Sequence, residues 1–211
     1  MLDTKSNSVV ELYGLPGIGK TTYAEAIALE EGFLHHQPTS VTLLQVMVMF
    51  ACHPLLTGRW LTLFFRCWIV NRSFALLRYN LVLFFGSLQS TIDAHNATEQ
   101  KVVIDEGLVQ RLLSASDVVL KKDEVRRLLS LVVDTVTFVR VTGRTPTKKH
   151  STSTHPRYSL DPMILKQWQA NLVTNESNIA NWLTEYGATV TTYSAQEKQP
   201  PSNHIAANND Q

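Results

Sequence analysis

Eight consecutive residues, Gly14-Leu15-Pro16-Gly17-Ile18-Gly19-Lys20-Thr21, carry the spacing G-x-x-x-x-G-K-[ST] at every fixed position. Each residue type has a chemical task there. The glycines let the backbone curl with several N–H groups facing inward, a nest for a polyanion. A helix opening at Gly19 or Lys20 turns its positive end to the same point. The Lys20 ammonium can reach the β- and γ-phosphates of a nucleoside triphosphate, and the Thr21 hydroxyl is placed to ligate Mg²⁺. The nucleotide contacts expected from this loop are Gly14, Leu15, Pro16, Gly17, Ile18, Gly19, Lys20, Thr21 and Thr22. A chance match in a chain of this composition is on the order of one per cent.

Such a loop works with an acid at the end of a buried strand, because that carboxylate sits near the metal. Val102-Val103-Ile104-Asp105 meets this need better than any other stretch. Asp105 and Thr21 are therefore the expected Mg²⁺ ligands, with ATP as the nucleotide. Glu106 comes next and could polarise a water or accept a proton from a substrate hydroxyl.

The elements that must hold these residues follow from periodicity and stop signals. Val9 to Tyr13 is short and β-prone, and a helix should run from Lys20 to Glu31 with Gly32 as its stop. Residues 33–37 make a poorly marked second strand. Residues 41–96 hold almost no turn signals beyond Pro54, Gly58 and a weak one at Gly86-Ser87, so two or three long, largely buried helices are expected. After the strand ending at Asp105, short helices are expected near residues 108–114 and 123–131, and a strand over 132–141. Residues 143–159 are polar and basic, with Pro146 and Pro156, and read as a loop. Asp161-Pro162 opens a helix running to about Tyr186, and residues 188–193 supply a last strand. Strands alternating with helices give an α/β fold with a parallel sheet, a single domain over 1–194. The Gln-, Asn- and Pro-rich residues 195–211 have almost nothing to bury and are expected to be a disordered tail.

Composition narrows the partners. The 211 residues carry a net charge of +1, so no global field argues for nucleic acid. Apolar runs in residues 41–88 are interrupted by Arg59, Arg66, Arg72 and Arg78 and fall short of the roughly 20 residues a spanning helix needs. No membrane partner and no export are expected, which makes the chain cytoplasmic, with a homodimer admissible. Cys52 and Cys67 fit no metal spacing and read as small buried hydrophobes.

The phosphate loop with its strand and helix, the Asp105-Glu106-Gly107 strand end, and a basic loop before a long C-terminal helix together resemble P-loop small-molecule kinases of the nucleoside and nucleotide kinase type, thymidylate kinases among them. The resemblance implies a three-layer fold with about five parallel strands flanked by helices. It also implies an acceptor site under the middle helices and an arginine-bearing lid. Thymidylate kinases usually carry Asp-Arg where this chain has Asp105-Glu106, which removes a cation near the acceptor. The lid too departs from a regular helix, since residues 142–150 read Thr-Gly-Arg-Thr-Pro-Thr-Lys-Lys-His.

Phosphoryl transfer depends mostly on positioning and charge neutralisation. The catalytic set expected is Lys20, Asp105, Glu106 and the lid cations Arg144 and Arg157, with Lys148 and Lys149 behind them. Arg59 and Arg66, seven apart, share one helix face and with Arg72 and Arg78 could grip an acceptor's phosphate, or else reach for solvent. Phe64, Phe65, Trp68, Phe84 and Phe85 could stack on a base, although core packing is the commoner use. The function that fits best is transfer of the γ-phosphoryl of Mg·ATP to a nucleoside, nucleotide, sugar or sugar nucleotide. The alternatives are an NTPase or nucleotide-dependent switch, and a nucleotide-binding protein without turnover. No guanine-selecting N-K-x-D stretch is present.

Overall fold

A computed structural model describes residues 9–38, 40–97, 100–143 and 156–194. Five parallel strands form one sheet in the order β2-β3-β1-β4-β5. They are β1 (Val9–Tyr13), β2 (Leu34–His36), β3 (Val102–Ile104), β4 (Thr137–Thr142) and β5 (Val190–Ser194). The helices are α1 (Lys20–Glu31), α2 (Leu43–Cys52), α3 (Pro54–Asn71), α4 (Phe74–Asn96), α5 (Leu108–Ser114), α6 (Lys122–Leu128) and α7 (Pro162–Glu185), with a 3₁₀ turn at Pro156–Ser159. This is the expected three-layer α/β fold.

The central strand explains the layers. All five residues of β1 are buried, Glu11 among its apolar neighbours, as the central strand of a parallel sheet covered on both faces requires. Val10 and Leu12 join Ala24 and Ile27 of α1 under one face. Val9, Tyr13, Val102, Ile104 and Phe138 pack on the other face with α3, α4, α5 and α7. β3 pairs directly with β1, so its end delivers Asp105 to the phosphate loop, where Thr21 bonds it.

Local chemistry sets the helix ends. Gly32 closes α1 in the left-handed region at φ 72°. Thr42 and Gln45 form a capping box at the start of α2. Asp161 accepts from the Met163 N–H with Pro162 in the first turn of α7, as the sequence predicts.

Several expectations change. The middle segment is three helices, within the two or three expected, broken at His53-Pro54 and at Arg72-Ser73, but α2 is short and buries only Met49. Gly86-Ser87 is no turn. Both residues are buried inside α4, and the Ser87 hydroxyl donates to the Glu106 carbonyl at 2.7 Å. The strand expected over 132–141 begins only at Thr137. The residues before it turn, held by bonds such as Val136 N–H to Val132 O, and their β-branched side chains fill the core instead of a ladder. The second short helix ends at Leu128, earlier than expected. Cys67 is buried, its thiol pushed up to about 12 by burial, but Cys52 is exposed on α2. Of the loop expected over 143–159, residues 156–159 are the 3₁₀ turn, and residues 144–155 lie outside the described residues, as does the expected tail.

Candidate phosphoryl-transfer site

The loop between β1 and α1 has the backbone its glycines promise. Gly14 lies at φ 154°, and a Cβ there would sit 2.5 Å from the Val141 carbonyl oxygen of β4. Gly19 begins α1 in the left-handed region at φ 97°, where a side chain is strained. Lys20 folds back over the loop, its Nζ donating to the carbonyls of Gly14 at 3.2 Å and Leu15 at 3.1 Å. Burial pulls the Lys20 ammonium down to about 8, because a charge in that setting lacks water.

Thr21 and Asp105 meet directly. The Thr21 hydroxyl donates to Asp105 Oδ2 at 3.0 Å. The other carboxylate oxygen, Oδ1, is buried without a hydrogen-bond partner. A buried, half-satisfied carboxylate next to a hydroxyl is a hard-oxygen donor set of the kind Mg²⁺ takes together with phosphate oxygens. The residues present therefore fit the metal. His35 of β2 adds a contact the sequence left without a role, with Nε2 3.5 Å from Asp105 Oδ2.

Beyond Asp105 the chain turns into α5, and here the structure supplies residues that sequence reasoning missed. Glu106 is ion-paired with Arg111, whose side chain is 3% exposed while that of Glu106 is 45% exposed. The carboxylate is thus steered by a buried guanidinium yet open to the pocket. Gln110 accepts from the Gly14 N–H at 3.2 Å through Oε1, tying α5 to the first residue of the phosphate loop. With the oxygen so engaged, the amide NH₂ is left as the donor on a residue that lines the pocket. Behind both lies Glu11 of β1, fully buried. Its Oε1 accepts from the N–H groups of Val109 at 2.6 Å and Gln110 at 3.3 Å, so a strand carboxylate anchors the start of α5. Desolvation outweighs those bonds and raises the Glu11 carboxyl to about 7. Gly107 is required beside it, since a Cβ there would run into the Glu11 carboxylate.

These groups share one pocket of about 450 Å³. The phosphate loop forms one end, Glu106, Gln110 and Arg111 the floor, Tyr79, Asn80 and Leu83 of α4 one wall, and Ser114, Arg157 and Trp168 the other.

No protein-family model matches the chain, and no curated protein does. Among solved structures, the chain is similar to YorR protein from Bacillus subtilis, a crystal structure in complex with phosphorylated GDP. The identity is 13%, the match covers 90% of this chain and 88% of that one, and the TM-score is 0.43. At that level nothing further is drawn from the likeness.

The residues expected from sequence divide cleanly. Lys20, Thr21 and Glu106 line the pocket together with Pro16, Gly17, Gly19 and Thr22, and Asp105 lies behind Thr21, bonded to its hydroxyl; Gly14, Leu15 and Ile18 are not on the lining. Arg157 also lines it but is not a loose lid cation. It is 3% exposed, bound to Asp117 Oδ1 at 2.7 Å and Oδ2 at 3.2 Å, and lies 4.4 Å over the Trp168 ring. Arg144, Lys148 and Lys149 lie outside the described residues. None of Arg59, Arg66, Arg72 and Arg78 lines the pocket, and Arg59 and Arg66 face a separate groove against α6. Phe64 and Phe84 are core residues packed on Trp60, whose indole donates to the Leu128 carbonyl. The missed pair Gln110 and Arg111 left one trace in the sequence: two adjacent polar residues inside an otherwise apolar seven-residue helix.

Proposed function

We propose that the protein transfers the γ-phosphoryl group of Mg·ATP to a hydroxyl of an uncharged small molecule, a sugar or nucleoside. The observation that carries this is the opening of the phosphate loop, the Thr21–Asp105 pair and the Arg111-held Glu106 carboxylate onto one pocket.

In this reading the loop N–H groups and the end of α1 hold the triphosphate, and Lys20 leaves its two carbonyl partners to neutralise the β- and γ-oxygens. Thr21 and Asp105 hold Mg²⁺, which supplies charge neutralisation on the phosphates. Glu106 accepts the acceptor's hydroxyl proton as the O–P bond forms and the bond to the ADP leaving oxygen breaks. Arg111 is a positioning residue whose ion pair aims the carboxylate.

Charge matching favours an uncharged acceptor. Among the described residues, both arginines on the pocket wall are already matched with a carboxylate, Arg111 with Glu106 and Arg157 with Asp117. Tyr79, Asn80, Gln110 and Ser114 offer neutral hydrogen-bonding groups suited to hydroxyls or a base edge.

The test is ADP production from Mg·ATP by wild type and Lys20→Ala, alone and with pools of sugars, nucleosides, nucleotides and sugar nucleotides. ADP that needs a sugar or nucleoside and disappears in the variant supports the reading. Acceptor-independent ADP would instead make the protein an NTPase with Glu106 orienting water. ATP binding without turnover in any pool would reduce it to a nucleotide-binding protein.

A further inference from the structure

The four arginines of the middle helices have no part in the pocket, and the surface they occupy has an unusual composition. From residue 32 to residue 92 the chain contains no aspartate or glutamate, and its charges are Arg59, Arg66, Arg72 and Arg78 alone. The same stretch holds eleven of the fifteen exposed large hydrophobic residues among the described residues.

Helix α2 is turned inside out relative to an ordinary surface helix. Only Met49 of its ten residues is buried. Leu43 (76% exposed), Leu44 (71%), Met47 and Val48 point outward, with no charged residue on the helix. A surface helix of a globular protein normally shows the reverse.

The outward face continues onto α3. Leu55, Arg59, Thr62, Arg66 and Ile69 recur at helical spacing, and all are exposed or half-exposed. Arg59, Thr62 and Arg66 line a groove of about 580 Å³ against α6, where Lys121 and Arg127 add cations. Four cations face two acids there, Asp123 and Glu124, and only Arg66 is held, by Glu124. Among the described residues Arg59, Arg72 and Arg78 make no ion pair. Past Ile69 the apolar exposure runs on through Val70 and Phe74.

We propose that the α2–α3 face docks on an anionic lipid bilayer surface, with the apolar side chains of α2 at the acyl boundary and the α3 arginines among the headgroup phosphates. Exposed leucine, methionine and phenylalanine interleaved with arginine, with cations in excess over acids, is the chemistry that binds such a surface. Charge disfavours a second copy as the occupant. A two-fold interface through this face would set its net positive charge, four cations against Asp123 and Glu124 in the groove plus Arg72, against the same excess on the partner. Among the described residues no single helix is long and apolar enough to cross a bilayer; α2 and α3 are apolar enough only as a pair, and their axes bend by 113° at the junction, a shape suited to lying on the surface. The absence of a spanning run, on which the expectation of no membrane partner rested, does not bear on surface docking.

The experiment is vesicle flotation of the full chain with phosphatidylcholine alone and with phosphatidylcholine plus phosphatidylglycerol, over a salt series. Light scattering is run on the same samples. Flotation only with the anionic vesicles, weakening as salt rises, is the expected result. Arg59→Gln combined with Arg72→Gln should weaken it about thirty-fold, at about 1 kcal/mol per arginine. Leu44→Glu combined with Met47→Glu should abolish it. All four positions are exposed, so the melting temperature should stay near that of wild type. Equal flotation with both lipids, or none with either, overturns the proposal. A concentration-dependent dimer that Leu44→Glu dissolves, without flotation, overturns it in favour of a second copy.

Discussion

The arginines of the pocket wall and the arginines of the α2–α4 surface are the same residue under opposite rules. Arg111 and Arg157 are buried, and each is matched by one carboxylate, because an unpaired buried guanidinium would be costly. Arg59, Arg72 and Arg78 stand in solvent among exposed apolar side chains, in a stretch with no aspartate or glutamate from residue 32 to residue 92. Matched charges hold a shape, and unmatched charges seek a partner. The first set therefore builds the pocket wall, and the second advertises a surface.

The comparison makes predictions of graded size. Lys20→Ala should lower acceptor-dependent turnover by about 10²–10³-fold, the scale of losing one preorganised charge at the transition state. A residual rate within three-fold of wild type would break the assignment of the pocket. Glu106→Gln should cost about 10²–10⁴-fold in kcat with little change in KM, and Arg111→Met, which removes the cation that positions the carboxylate, should lower kcat by less, with Arg111→Lys restoring part of the loss. If Glu106→Gln is silent, the carboxylate is only the structural partner of Arg111.

Removing one member of a matched buried pair tests the same contrast by stability. Asp117→Asn should cost about 3–5 kcal/mol by removing the carboxylate bound to the buried Arg157, while Arg72→Gln on the surface should cost less than about 0.5 kcal/mol. Urea melts that give equal losses would erase the distinction.

Glu11 sharpens it through pH. Its carboxyl titrates near 7 in the fold against about 4.5 when unfolded, so between those values the folded state holds the extra proton. Stability from this group is then full below the lower value and falls as pH rises through 7, by about 3 kcal/mol in all. Glu11→Gln should match wild type at pH 5 and exceed it at pH 8. A variant less stable at both pH values would show that the ionised carboxylate is what α5 needs.

Lys20 supplies the smallest effect. Its ammonium titrates near 8, so affinity for the nucleotide should decline as pH rises past 8, and Lys20→Arg should flatten that decline. Calorimetric titration at pH 7 and pH 9 reads both.

What the sequence determined was local. Residues 14–21 specify a backbone nest through glycine conformations and contiguous spacing, and Val102 to Asp105 specify a buried strand with an acid at its end. The strand order was not legible, but a parallel α/β sheet was, because alternating strand and helix patterns leave few alternatives. Boundaries failed where burial replaced propensity. Val132, Val133 and Val136 read as strand since β-branched residues serve a packed turn equally well. Tertiary structure alone decided the half of the pocket beyond the phosphate loop. Glu11 with Val109, Gln110 with Gly14, and Arg157 with Asp117 join residues 98, 96 and 40 positions apart. Nothing in a one-dimensional pattern marks such pairs, because what selects them is the cost of burying a charge or an amide without its partner.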